Sequence, residues 1–233
     1  MSAEDRRTRL LQVAAGAVFL AVAVVLMLIV VNASSDDGGD TNLEGAGEVN
    51  RSLRGIPQQA LLLGDPEAPV ELVEFGDLQC PACAAYTEEI LPPIIESHVR
   101  QGQVKLAFRN FTIIGPDSLD AGAAAVAAGA QGKGWNFIEI FYGNQGRENA
   151  GYAADEAFLE AVAKASGVKD LDQWDEDRTK FRAKVEETTS EAESLGLTGT
   201  PSFAIRGPNT DGLEIVGTPN STAALEEAIE EAR

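Results

Sequence analysis

The chain has 233 residues, with 18 lysines and arginines against 37 aspartates and glutamates, giving a formal charge of −19. A surface of that sign repels nucleic acid and anionic lipid headgroups, so a nucleic-acid-binding role has no support. Two cysteines and one histidine fall short of the about four ligands of a zinc or iron–sulfur centre unless a metal is shared between subunits, and no metal or organic cofactor is implied.

From the N-terminus, Arg6, Arg7 and Arg9 against Glu4 and Asp5 leave residues 1–31 at +1, so the rest of the chain carries −20. Leu10 to Val31 is a run of 22 uncharged residues with Gln12 as its one clearly polar interruption. Such a run exceeds the ~20 residues that span a bilayer and the ~7–15 of a signal-peptide core, and it is read as a transmembrane helix. Arginines before the span and Asp36, Asp37 and Asp40 after it fit a cytoplasmic N-terminus and an exported body. The competing reading is a signal peptide cleaved near Val31-Asn32-Ala33, and it exports the body too. Asn32 to about Asn50 is rich in Gly, Ser and Asp and reads as a flexible tether.

Ala60 to Leu63 is expected to form a short edge strand, and Asp65 to Pro69 a turn into the apolar strand Val70–Phe75. That strand gives way to Cys80-Pro81-Ala82-Cys83 and a helix beginning near Pro81. A thiol at a helix N-terminus meets unpaired backbone N–H groups and the positive end of the helix dipole, which favour thiolate over thiol. Pro81 suits the first turn, where its fixed φ is already helical and its missing N–H is not needed. A disulfide across two residues closes too small a loop to add much stability, so the pair is read as a redox switch rather than a staple. Outside the cytoplasm such a pair meets proteins whose disulfides are made, reshuffled or removed.

The CxxC helix carries Tyr86, Ile90, Ile94 and Ile95 and is expected to kink or break at Pro92-Pro93. His98, near its end, is a solvent-facing or dipole-compensating group rather than a catalytic base. Val104–Phe108 then forms a strand parallel to the first in a βαβ unit. Helical patterning follows: an alanine-rich helix from a Ser118 cap, an aromatic one over Gly134–Tyr142, a third with Phe158, Ala161, Val162 and Ala165 on one face, and a fourth from about Leu171 to Leu195. The aromatic helix is read as core, with the further hypothesis that part of it, around Trp135 and Phe141, lines a client surface. After Gly199-Thr200-Pro201, Ser202–Arg206 and Leu213–Val216 form a hairpin, and Ser221 or Thr222 caps a closing helix.

This order resembles the DsbA-like family of thiol:disulfide oxidoreductases, particularly its membrane-anchored actinobacterial and Gram-positive members. The residues that carry the resemblance are Val73-Glu74-Phe75 before the CxxC, Phe108-Arg109-Asn110-Phe111, Gln131-Gly132-Lys133-Gly134-Trp135 and Gly199-Thr200-Pro201-Ser202-Phe203. It implies an α/β thioredoxin fold with an inserted α-helical domain, here preceded by the transmembrane helix. The expected layout is a cytoplasmic 1–9, the span 10–31, a linker 32–55, a thioredoxin-like domain over 56–116 and 197–233, and a helical insert over 117–196.

The resemblance also implies roles. Cys80 is the exposed attacking thiolate, Cys83 the more buried resolving thiol, and Thr200-Pro201 a cis peptide facing them, with the Thr200 backbone pairing with extended clients. Glu74 is the buried acid that relays a proton to or from Cys83. Pro81 and Ala82 tune the redox potential, and the absence of a histidine between the cysteines makes a milder oxidant the expectation. The expected partners are exported proteins with cysteine pairs and a separate quinone-linked membrane oxidase, acting on a monomer at the outer face of the cell membrane. Two alternatives stay open: the same chemistry run as a reductase or isomerase, and a tethered peptide-binding or chaperone module without turnover.

Overall fold

A computed structural model describes residues 43–233. The predicted transmembrane helix 10–31 and residues 32–42 of the linker lie outside the described residues; among the described ones no helix is long and apolar enough to cross a membrane.

A six-stranded sheet in the order β1-β2-β4-β3-β5-β6 organises these residues: β1 Gln58–Gln59, β2 Leu62–Leu63, β3 Val70–Gly76, β4 Val104–Asn110, β5 Ser202–Arg206 and β6 Glu214–Gly217. The expected parallel pair is β3 with β4, in register from Val70 opposite Val104 to Gly76 opposite Asn110. All other neighbours are antiparallel. Side chains alternate across a strand, so Leu72 joins the larger core beneath the CxxC helix while Val73 and Phe75 face a smaller cluster with Phe111, Ala192 and Ala204. Glu74 shares the parity of Leu72.

The expected single strand over Ala60–Leu63 is instead a hairpin. Ala60 takes a left-handed φ of 51° at its turn, and β2 pairs onward with β4. The hairpin sits so close to the insert that a Cβ on Gly134 would lie 2.6 Å from the Ala60 carbonyl oxygen. Trp135 fixes it there by donating its indole N–H to the Leu61 carbonyl at 2.9 Å.

Part of the segment assigned to the linker is also ordered. Ala46–Ser52 forms helix α1, and Ala46, Val49 and Leu53, spaced along one face, pack on the core.

The CxxC helix, α2, spans Pro81–Glu89. It breaks at Ile90 before Pro92-Pro93 into the short α3, Leu91–Ile94, and a π-turn over Ile95–Val99 that ends with Arg100 N–H donating to the Ile95 carbonyl. The prolines have no N–H to continue the ladder. His98 lies in that π-turn, half-buried, with Nδ1 3.1 Å from Gln103 Oε1.

The insert holds α4 Asp117–Ala130, α5 Gly134–Gly143, α6 Glu156–Ser166 and α7 Leu171–Ser194, and the chain closes with α8 Thr222–Ala232. Capping is local where the sequence supplies an acid or hydroxyl: Asp155, Asp170 and Ser221 accept the N–H of Phe158, Gln173 and Ala224. Ser118 does not cap α4; it is fully buried inside the first turn, where it serves another partner. Helix α5 is apolar nearly all round and is internal. Phe141, proposed above as client surface, is wholly buried against Phe137, Tyr152 and Phe158 and cannot line one.

Candidate active site

The site is built where β3 ends. Asp77, wholly buried, accepts the N–H of Gln79 at 2.9 Å through one oxygen and those of Ile113 and Ile114 at 2.8 and 2.9 Å through the other. Its carbonyl accepts the N–H of Cys80 at 2.9 Å and the hydroxyl of Tyr142 at 3.2 Å. Gln79, also wholly buried, donates to Ser118 Oγ at 2.9 Å and accepts the Asn149 N–H at 3.1 Å. The turn preceding the cysteines is thus tied to both the β4–α4 loop and the insert.

On that support Cys80 takes the N-cap position of α2, with φ −78° and ψ 116°, and Pro81 opens the helix. Both thiols are free. Pro81 and Ala82 are exposed, Cys83 is wholly buried, and Cys80 retains 5 % exposure rather than the open position expected of it, because the Thr200-Pro201 loop lies against it. The Thr200–Pro201 peptide is cis, Pro201 is buried, and Cys80 Sγ lies 3.3 Å from the Thr200 carbonyl oxygen, within bonding reach of it when the thiol is protonated. Beneath the thiols, Glu74 is paired in register with Phe108 on one side and Phe203 on the other and is wholly buried. The structure therefore gathers every sequence-predicted site residue around one helix end.

The two thiols have opposite electrostatics. The Cys80 thiol is lowered to about 6, chiefly by a hydrogen bond from the Cys83 thiol, then by the Thr200 hydroxyl and the N–H groups of Cys83 and Ala82, against the opposing effect of burial. The helix end contributes, as expected from its position, but less than the second cysteine does. Burial pushes the Cys83 thiol far above the usual thiol range, with its bond to Cys80 and the charge of Glu74 adding to it. At pH 7 Cys80 is therefore mainly thiolate while Cys83 keeps its proton. Glu74 is raised to about 8, by burial first and then by the charges of Cys80 and Glu139. A carboxylic acid that stays protonated at neutral pH is a proton donor within electrostatic reach of Cys83.

Sequence reasoning missed Asp77 and Glu139. An Asp just past a strand-ending Gly is an Asx-turn signal that points to Asp77. For Glu139 the signal is one carboxylate inside the apolar run Trp135–Tyr142. Among the described residues no cluster of His, Cys, Asp and Glu is arranged to hold a metal ion.

Comparison with known proteins agrees with this geometry. The thioredoxin family model matches residues 57–231. The chain is 34% identical over 161 residues to the probable disulfide bond formation protein D of Bacillus anthracis, covering 65% of this chain and 74% of that protein. Among solved structures it is similar to oxidised BdbD from Bacillus subtilis, with a TM-score of 0.65 at 23% identity over 76% of this chain and 97% of that one. It is also similar to a thioredoxin-like oxidoreductase from Silicibacter pomeroyi, with a TM-score of 0.60 at 30% identity over 74% and 91% of the two chains. A fold built on a parallel β3–β4 pair, a helical insert and two unlike thiols at one helix end, together with these relatives, places the chain in the DsbA-like family of thiol:disulfide oxidoreductases.

Proposed function

We propose that the protein donates its Cys80–Cys83 disulfide to cysteine pairs of newly exported proteins. The observation that carries this is the split between a stabilised Cys80 thiolate and a proton-retaining Cys83, because a thiolate held stable in the reduced form makes the disulfide more oxidising.

In the cycle, a client thiolate attacks Cys80 Sγ. The Cys80–Cys83 bond breaks, a Cys80–client bond forms, and the electron pair leaves on Cys83, which takes a proton from Glu74. The client's second thiolate then attacks its own bridged sulfur and Cys80 leaves as the thiolate, its stable form here. The client pair is oxidised by two electrons and the enzyme pair reduced by two. Thr200 takes part through its hydroxyl and carbonyl at Cys80, and its backbone pairs with the extended client beside Pro201. A separate quinone-linked membrane oxidase removes the two electrons and completes the cycle.

The sequence supports the placement. The uncharged run 10–31 serves as a single-pass anchor and the acidic body lies outside the cytoplasm, with 56–116 and 197–233 as the thioredoxin-like part, 117–196 as the insert, and the protein acting as a monomer. The polar tether between anchor and body lets the thiols reach clients emerging near the membrane.

The test is Cys83→Ser in intact cells. It should accumulate client adducts on Cys80 that a reducing gel dissolves, and their absence would sink the mechanism. The reduction potential decides direction: a value near the ~−120 mV of a strong oxidant supports donation, and one near the ~−270 mV of thioredoxin makes the protein a reductase.

A further inference from the structure

A cavity of about 400 Å³ lies between the end of α1, the loop before α5 and the loop after α6, and none of the residues around the thiols lines it. Its floor is a chain of amides. The Trp135 N–H donates to Gln58 Oε1 at 3.1 Å, Gln58 Nε2 to Asn136 Oδ1 at 2.7 Å, Asn136 Nδ2 to Asn50 Oδ1 at 2.8 Å, and Asn50 Nδ2 to the Ala165 carbonyl at 2.8 Å. A backbone N–H can only donate and a carbonyl can only accept, so the two ends of the chain fix which way every amide faces. All three amide oxygens are therefore engaged, while each amide nitrogen has used one of its two hydrogens among the described residues. Asn136 is only 3 % exposed, and Ser166, which also lines the cavity, is wholly buried. The floor is rigid, dry and rich in spare donors.

The rim adds charge of one sign. Arg54 and Lys133 line the cavity and no Asp or Glu does. A Cβ on Gly167 would lie 3.5 Å from Lys133 Nζ, which puts that ammonium at the wall. In a body this acidic, cations such as Arg109, Arg178 and Lys184 are taken up by carboxylates. Arg54 and Lys133 have no carboxylate within 4 Å among the described residues, nor have Arg51 in the last turn of α1 and Lys169 just past Gly167. The net charge of −19 does not cancel this, because charges farther off than the Debye length of ~8 Å are largely screened at physiological ionic strength.

We propose that this cavity binds a phosphate group, carried by a soluble phosphate or by a lipid headgroup, with Arg54 and Lys133 on its charge and the spare amide hydrogens of Asn50, Gln58 and Asn136 on its oxygens. A cation is repelled there, and a neutral ligand leaves both charges unused. A carboxylate presents two oxygens, whereas a phosphoester presents three, enough to meet guanidinium, ammonium and amide donors together. The site stands apart from the thiol chemistry. Its occupant joins α1, the first helix after the tether, to the loops of the insert.

The full-length protein, kept in a neutral detergent, is titrated with inorganic phosphate at constant ionic strength while the side-chain amide signals of Asn50, Gln58 and Asn136 are followed by proton–nitrogen correlation NMR. The signals should move along one saturating curve. Arg54→Gln and Lys133→Gln give up no ion pair, so each should keep the wild-type unfolding midpoint in phosphate-free buffer and weaken binding by roughly ten- to a hundredfold, the loss of one charge-assisted bond. Lys133→Glu should abolish binding. Lys180→Gln, which removes a cation already paired with Glu176 and Asp177, should leave it unchanged. Repeating the titration with glycerol phosphate and with micelles containing phosphatidylglycerol separates the sources. A response to inorganic or glycerol phosphate supports a soluble ligand, and a response to the lipid alone supports a headgroup. Amide signals that stay still with all three probes overturn the site. So does binding that is equally tight in Arg54→Gln and Lys133→Gln, or an equal loss in Lys180→Gln.

Discussion

Strand β3 carries two glutamates three residues apart in Val70-Glu71-Leu72-Val73-Glu74-Phe75, and the sheet treats them in opposite ways. Glu71 points to the face covered by the end of α7, where Arg206 and Arg109 lie 3.4 and 3.9 Å from its oxygens and Arg109 also pairs with Glu191. Glu74 points to the other face, meets no cation among the described residues, and is held neutral. The difference is one of parity: an odd spacing in a strand sends identical side chains to opposite sides. One becomes an ordinary ion pair at the rim of the sheet. The other becomes a stored proton under a disulfide.

Converting Glu74 to Gln removes the contrast and should have the largest effect. A group whose pKa is raised in the fold contributes fully below its unfolded pKa and loses that contribution as pH rises through the folded value. Wild-type stability should therefore fall between about pH 4.5 and 8, and Glu74→Gln, which has no proton to lose, should exceed it at pH 8 by on the order of 3 kcal/mol and match it near pH 5. Chemical denaturation of the reduced proteins at both pH values checks this. If the two curves stay parallel, Glu74 is not the buried acid described here. The same substitution should slow client oxidation, so it separates stability from activity in opposite directions.

Thr200→Val acts one shell above the same acid, on the sulfur itself. Losing one hydroxyl bond of about 0.5–1.5 kcal/mol should raise the Cys80 pKa by roughly half to one unit, followed by thiolate absorbance against pH. No change would mean that the thiolate is held by Cys83 and the helix end alone. Glu71→Gln should do least: less than about 1 kcal/mol of stability, as for other partly exposed pairs, and no change in thiol titration or client oxidation. A shift in the thiol titration there would show that the two faces of β3 communicate.

What the sequence made legible follows the same lines. Val70–Phe75, Val104–Phe108 and the helices around Phe158 and Trp174 are strongly periodic segments, and periodicity reports which side of an element is buried. The cysteines, the Thr-Pro before a strand and Glu74 stand at fixed offsets from those segments. Asp77 gathers N–H groups 36 and 37 residues away, and the partners of Gln79 lie 39 and 70 residues on; no local pattern encodes such links. The 58–63 hairpin and α1 are not legible in the sequence because each is too short for its own pattern and is held by contacts with the insert. Ser118 carries a capping signature, but tertiary structure claimed its hydroxyl first.

That hydroxyl sets a rule for anyone grafting the insert between relatives. Gln79 belongs to the scaffold, yet both polar ends of its side chain are satisfied by residues a transplanted cassette would bring, Ser118 and Asn149. A chimera that supplies alanine at the first of these strands a buried amide directly before the attacking thiol, at a cost of about 1–3 kcal/mol. The seam of the two-part architecture therefore runs through the reactive loop, and the insert is exchangeable only together with its half of that joint.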